Sequence, residues 1–198
     1  MRFKKSKLIA VLLLGYGLIG LQAQSTGIFK DSRDGNMYKT VEIGEQVWMA
    51  ENLAYKPDSG NYWAYDNNAA YGYLYDWETA MKVCPSGWHL PTDDEWKQLS
   101  DYLGGESKAD NKLKETGTTH WKSPNEEATN ESGFTALPGG ARLLSGTILY
   151  VGDRGNWWSA TEYYTGHTWT WSLFYTPKGF FRSANSGALG YSVRCLKD

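Results

Sequence analysis

Cysteine and histidine are scarce in this chain, and their scarcity argues against most metal and nucleophile chemistry. Two cysteines, Cys84 and Cys195, and three histidines, His89, His120 and His167, occur among 198 residues. The histidines are dispersed, with no metal-ligand spacing. His89, inside a Trp-His-Leu strand, reads as a packed, hydrogen-bonded residue. No Gly-x-Ser-x-Gly elbow, phosphate-binding loop or dinucleotide fingerprint occurs. Few stretches keep a helical period for long. Ten Trp, fourteen Tyr and twenty-two Gly are instead spread along the chain. This aromatic-rich, turn-rich composition points to a β-dominated domain.

The one long apolar run is N-terminal. Arg2, Lys4, Lys5 and Lys7 precede an apolar segment from Leu8 to Leu21, and Leu21-Gln22-Ala23 ends on a small residue. Residues 1–24 therefore read as a signal peptide cut near Ala23 or Gln24. A retained membrane anchor is the alternative. Export implies a secreted, cell-surface or periplasmic protein without a membrane span after cleavage. Cleavage would remove four of the 20 basic residues, leaving sixteen against 22 acids and a net charge of −6. That disfavours nucleic acid and anionic membranes as partners. In an exported chain two cysteines suggest one disulfide, Cys84–Cys195. In the chain-entropy model a loop of about 110 residues closed this way stabilises by about 4–5 kcal/mol. Two free thiols are the alternative.

The clearest local signal is Cys84 to Trp96. Pro85-Ser86-Gly87 marks a loop and Pro91 ends a short apolar run. Thr92 and Glu95 then form a capping box, and Asp93, Asp94 and Glu95 face the positive end of a helix dipole. Trp96, Leu99 and Leu103 fall on one face, and Gly104-Gly105 stops the helix, which is predicted over 93–103. Capping explains the acidic triplet without a catalytic or calcium-binding role. A first helix capped by Asp76 carries Trp77, Ala80, Met81 and Val83 on its apolar face.

Elsewhere strands dominate. Residues 25–33 read as a short polar lead. Met37–Ile43 and Gln46–Met49 form a hairpin across Gly44-Glu45. Segments 56–70 and 106–133 read as loops, the latter with one helical turn around Asn111–Glu115. Strands follow at Thr147–Val151 and Trp157–Thr161. Trp169, Trp171, Leu173 and Tyr175 alternate with Thr170, Ser172 and Phe174, giving one apolar face. Tyr191, Val193 and Cys195 alternate in a last strand. Early helices with late antiparallel strands make an α+β domain.

Several ordered segments carry a resemblance. They include Asp34–Gly44, Gln46–Leu53, Tyr71–Trp77, Cys84–Trp96, Gly133–Arg142, Trp157–Glu162 and Ser192–Asp198. Together they resemble the Fibrobacter succinogenes major paralogous domain of exported bacterial proteins, over residues 34–198. The resemblance implies a C-type lectin-like fold: two helices, a small twisted antiparallel sheet, terminal strands lying together, and long loops. The Leu90–Trp96 helix start is also similar to that of the formylglycine-generating enzymes, which share that fold.

The function expected is a non-enzymatic binding or adhesion module for glycans or another surface protein. Trp63, Tyr65, Asp66, Asn67 and Trp121, in loop-like segments, are the candidate ligand-binding residues: rings can stack on sugars and carboxylates or amides can bind hydroxyls. Trp48, Trp77, Trp96, Trp157 and Trp171 are assigned to the core or to sheet cover. The calcium-dependent sugar triplets of true C-type lectins are absent. Ser123-Pro124-Asn125-Glu126 is a loose echo, and calcium would need Asp/Asn loop oxygens. No metal or cofactor is otherwise expected. The alternatives are a structural subunit of an envelope assembly and an oxidase like the formylglycine-generating enzymes, which needs two reactive cysteines.

Overall fold

The computed structural model describes residues 25–65 and 68–198. The signal peptide assigned to residues 1–24 lies outside the described residues, as do Asp66 and Asn67.

The chain begins with a strand where a polar lead was expected. β1 (Thr26–Lys30) pairs antiparallel with β2 (Met37–Ile43), from Thr26 opposite Val41 to Lys30 opposite Met37. Its sequence gives little sign of this because an edge strand exposes most of its side chains. β2 returns through Gly44-Glu45 into β3 (Gln46–Met49), the hairpin expected from alternation and turn chemistry. β4 (Tyr62–Ala64) and β5 (Tyr73–Tyr75) form a second antiparallel pair.

α1 (Trp77–Val83) follows, with Asp76 as N-cap accepting from the Thr79 backbone N–H at 2.9 Å. Met81, expected on its apolar face, is exposed instead. The two-residue β6 (Trp88–His89) leads to α2 (Asp93–Tyr102). The capping box is fully formed. Glu95 N–H donates to Thr92 Oγ1 at 3.3 Å, and the Glu95 carboxylate accepts from Thr92 N–H at 2.7 Å. Such a cap contributes about 1 kcal/mol. Trp96 and Leu99 are fully buried on one face of α2.

The loop expected over 106–133 starts instead with a third helix, α3 (Glu106–Leu113). Its N-cap is Gly105, which offers no side-chain oxygen, and only Ala109 and Leu113 supply apolar burial. Lys114, entirely buried, pairs with Asp110 at 3.2 Å and donates to Phe174 O. A buried ion pair thus does work that an apolar stripe does elsewhere.

The second half is strand-rich. β7 (Ala141–Arg142) and β8 (Ile148–Leu149) make a short ribbon. β9 (Arg154–Tyr164) and β10 (His167–Phe174) form a long hairpin, flanked by β11 (Phe181–Ser186). β12 (Tyr191–Ser192) and β13 (Leu196–Lys197) end the chain. The sheet orders are β1-β2-β3-β13-β6 and β11-β10-β9-β12-β5-β4. The fold is therefore α+β, with three α-helices among the described residues and antiparallel sheets that are locally mixed, since β12 runs parallel to β9.

Two apolar clusters fill the space between these elements. One gathers Trp48, Trp96, Trp121, Phe134, Trp157 and Trp171 between α2, α3 and the β9–β10 hairpin. The other packs Leu53, Tyr75, Val83, Trp158, Val193 and Cys195 around α1 and the last strands. Cys84 and Cys195 are joined in a disulfide with Cα atoms 5.9 Å apart, pinning the end of α1 to the segment between β12 and β13. Among the described residues no helix is long and apolar enough to cross a membrane.

Candidate functional site

The five residues proposed from sequence do not form one site. Trp121 is a core residue, 1 % exposed, with its indole N–H donating to Ala136 O at 2.9 Å. Its polar flanks suggested a loop, but the loop folds back onto α3 and buries the ring. Tyr65 is half-buried, and its hydroxyl donates to Gly139 O. Burial pushes its pKa far above the usual phenol value. Trp63 is half-buried too, and the Arg142 guanidinium stacks on its ring at 4.0 Å from the centroid. Asp66 and Asn67 lie outside the described residues. Asn125, in the segment echoing lectin triplets, is buried and donates to Glu115 O and Gly117 O. Its amide N–H groups hold the loop together.

A different surface assembles at the far end of the β9–β10 hairpin. The turn at Thr165-Gly166 needs a positive φ, 79° at Gly166. Gly187, between β11 and β12, lies against it and donates to Gly166 O at 3.0 Å. Gly187 O in turn accepts from Trp77 N–H at 2.9 Å. A Cβ on Gly187 would stand 3.3 Å from Trp77 Cβ, so glycine permits this close approach. The three segments, the start of α1 and two turns, enclose a cleft of about 640 Å³.

Trp77 forms part of its wall; it is half-buried and packs against the edge of the second apolar cluster, so it is both core cover and cleft wall. Its ring is fixed by an indole N–H bond to Ser159 O at 2.9 Å. Asp76, Glu78 and Glu162 also line the cleft, with Ser186 and Thr165. Asp76 is committed to capping α1 and to Asn61 Nδ2. Glu162 accepts from Gly166 N–H at 3.1 Å through one oxygen, and Glu78 is exposed. Among the described residues no cationic side chain lines this cleft. It is acidic, with an aromatic wall.

The rim beside it is aromatic. Tyr164 stacks on His167 with centroids 4.4 Å apart, and Tyr163 meets Trp169 at 4.5 Å. Both tyrosines are more than half exposed. Arg182 covers the Trp169 ring at 3.5 Å and pairs with Asp93 at 2.7 Å. Asp93 also accepts from Trp171 Nε1–H at 3.0 Å. Burial raises the Asp93 pKa, opposed by Arg182 and the Trp171 bond. The rim is thus braced from behind by α2 and free in front. Among the described residues no group of three or more His, Cys, Asp or Glu side chains is placed to hold a metal ion.

The sequence held a signal for this surface. Tyr163-Tyr164-Thr165-Gly166-His167-Thr168-Trp169 is a glycine turn between two β-favouring runs, and reading it as a hairpin would have placed paired aromatics at an exposed tip.

Residues 41–197 match the family model described as the Fibrobacter succinogenes major domain. No curated protein and no solved structure matches the chain.

Proposed function

The chain belongs to the Fibrobacter succinogenes major domain family, and we propose that it acts as an exported, non-enzymatic binding module that takes carbohydrate in the cleft between α1 and the β9–β10 turn. The observation that carries this reading is one cleft combining an indole wall with two carboxylates outside the cap network, Glu78 and Glu162; the exposed Tyr163 and Tyr164 lie next to its lining residues in the same hairpin. Its volume falls within the range of small-ligand sites. Aromatic rings stack on the C–H faces of sugars, and carboxylates accept from pairs of sugar hydroxyls. The absence of cations in the lining favours neutral or amino sugars over acidic ones.

The non-enzymatic part of the reading draws on the cystine. Copper oxidase chemistry of the formylglycine-generating kind needs thiolates, and both sulfurs here are bonded to each other. We also read the architecture as C-type lectin-like. Support comes from the last strand β13 lying beside the N-terminal hairpin, from the two capped helices and from the loops between α3 and β9. The runner-up is a structural subunit of an envelope assembly, favoured by the exposure of Tyr163 and Tyr164.

A glycan array followed by tryptophan-fluorescence titration tests the proposal, run with calcium and with chelator. Trp77→Ala and Glu162→Gln should each weaken the best ligand at least tenfold, about 1.4 kcal/mol. Silence across neutral and amino-sugar glycans, or binding indifferent to both variants, overturns it. A protein captured through Tyr163 and Tyr164 in place of a glycan would favour the structural subunit.

A further inference from the structure

The cleft beside Trp77 carries one sign of charge. Its ionisable lining groups are the carboxylates of Asp76, Glu78 and Glu162, with no cation among the described residues. None of these carboxylates forms an ion pair among the described residues. Asp76 is taken up by the α1 cap and by Asn61 Nδ2. Glu162 engages Gly166 N–H through a single oxygen, and Glu78 stands exposed at the first turn of α1. Arg33 and Lys82 border a neighbouring cavity that shares Asp76 and Glu78 with this one. Arg33 is held by Asp31 at 2.6 Å, and Lys82 pairs with no carboxylate among the described residues. Carboxylates grouped without a counter-charge raise each other's energy until a cation joins them.

The ring in the wall points the same way. The Trp77 indole N–H is occupied by Ser159 O, so this side chain keeps no donor for a ligand. What it presents is π surface, which attracts C–H groups and cations. A metal ion does not answer the pattern, because no three acidic groups among the described residues converge to hold one. An organic ammonium does. Its N–H groups donate charge-assisted hydrogen bonds to more than one carboxylate, and the carbon frame that bears it rests on the ring. A neutral sugar also donates to carboxylates, but it leaves their charge uncompensated. On the reading of this cleft as a sugar site, on which the step rests, we infer that it selects amino sugars whose amine is free and protonated over their N-acetylated forms. The ammonium meets Glu78 and Glu162, the sugar ring lies against Trp77, and the Thr165 and Ser186 hydroxyls serve the remaining sugar hydroxyls.

Calorimetric titration of the purified chain tests this with a glucosamine oligomer, its fully N-acetylated counterpart and a lysine peptide, all of equal length. The glucosamine oligomer should bind about tenfold more tightly than either of the others, and more weakly as salt rises. Glu78→Gln and Glu162→Gln should each narrow the gap between the two sugar oligomers about fivefold, while Trp77→Ala weakens both oligomers alike. Glu78 and Glu162 are exposed, and glutamine keeps an oxygen for Gly166 N–H, so both substitutions are compatible with the fold. An N-acetylated oligomer that binds as tightly as the free amine, or a gap unchanged in both glutamine variants, overturns the selection and leaves the sugar site standing. So does a glycan array in which other sugars bind through Trp77 and glucosamine does not. A lysine peptide that binds as tightly as the glucosamine oligomer overturns it in favour of a basic peptide. A glycan array with no ligand at all removes the sugar site and the selection together.

Discussion

Asn52 and Arg194 hold each other in the middle of the core. Asn52 Oδ1 accepts from Arg194 Nη2 at 3.0 Å, from Arg194 Nε at 3.2 Å and from Trp157 Nε1 at 2.9 Å. Arg194 is wholly buried and has no carboxylate partner among the described residues, and its remaining N–H groups donate to the carbonyls of Met49, Phe134 and Thr135. Neutral oxygens thus share one positive charge between the N-terminal hairpin, the loop before β7 and the segment joining β12 to β13. Burial pulls the guanidinium pKa down to about 9, which still leaves it charged at neutral pH.

The consequence is a large penalty for removing Asn52. Asn52→Ala deletes three acceptor contacts and leaves the buried cation only its backbone carbonyls. Loss of a hydrogen bond to a charged group costs about 1.5–3 kcal/mol. Urea denaturation should show a lower midpoint with an unchanged slope. A loss below about 1 kcal/mol would mean that water or a backbone carbonyl replaces the amide.

The Asp110–Lys114 pair makes a sharper case, because both partners can be replaced. Lys114→Met leaves Asp110 buried, with the Gly179 N–H as one of its few remaining partners. Desolvation already raises the Asp110 carboxyl pKa against the pull of Lys114. The single variant should lose about 3–5 kcal/mol, and Asp110→Leu combined with Lys114→Met should recover most of it. A double-mutant cycle by chemical denaturation measures this. If the double variant were as unstable as Lys114→Met, the pair would have a role that apolar packing cannot take over.

These two networks also mark where sequence reading stops. The β2–β3 hairpin, α1, α2 and its capping box were legible because alternation, caps and turn residues agree locally. Trp48, Trp96, Trp157 and Trp171 were legible as core for the same reason. α3 was not, because its inward face carries Asp110 and then Lys114 where a periodic apolar pattern would be, and its start has no capping side chain. β1 was missed because an exposed edge strand needs little hydrophobicity. Trp121 was misplaced, because a polar-flanked ring is buried by a returning loop, while Trp77, packed against the core, was not legible as also bordering a cleft. Neither outcome is encoded within a few residues of the tryptophan itself.

His89 gives a pH dependence with a definite sign. Its Nδ1 faces Asp198 at 2.7 Å and its Nε2 faces Glu95 at 3.0 Å. Burial disfavours the imidazolium, but the hydrogen bonds to Asp198 and Glu95 outweigh it and raise the pKa above 6.5. A basic group raised on folding contributes stability that is fully present below its unfolded pKa and lost as pH rises through the folded value. The ring is partly exposed, so the effect should be about 0.5 kcal/mol. Thermal melts from pH 5.5 to 8 should therefore show a fall in stability, referred to a His89→Gln variant, in which that component is missing. A difference that grows with pH would reverse the assignment.

The cystine ties stability to the cleft. Cys84 is the C-cap of α1, the helix whose first turn supplies Asp76, Trp77 and Glu78 to the cleft wall. Its partner Cys195 is fully buried, and the Cys195 carbonyl accepts from Met49 N–H at 3.0 Å. Replacing both cysteines with alanine keeps the hydrogen bonds and removes the tether. Loss of a native disulfide closing so long a loop costs about 2–5 kcal/mol, through the freedom regained by the unfolded chain. Chemical denaturation of the double variant should show that loss, while the near-ultraviolet circular dichroism of the folded state keeps its aromatic signature. Because the entropic effect acts on the unfolded state, glycan affinity at the cleft should change less than threefold in buffer. A collapse of affinity with folding intact would instead show that the bond holds α1 in place within the native state.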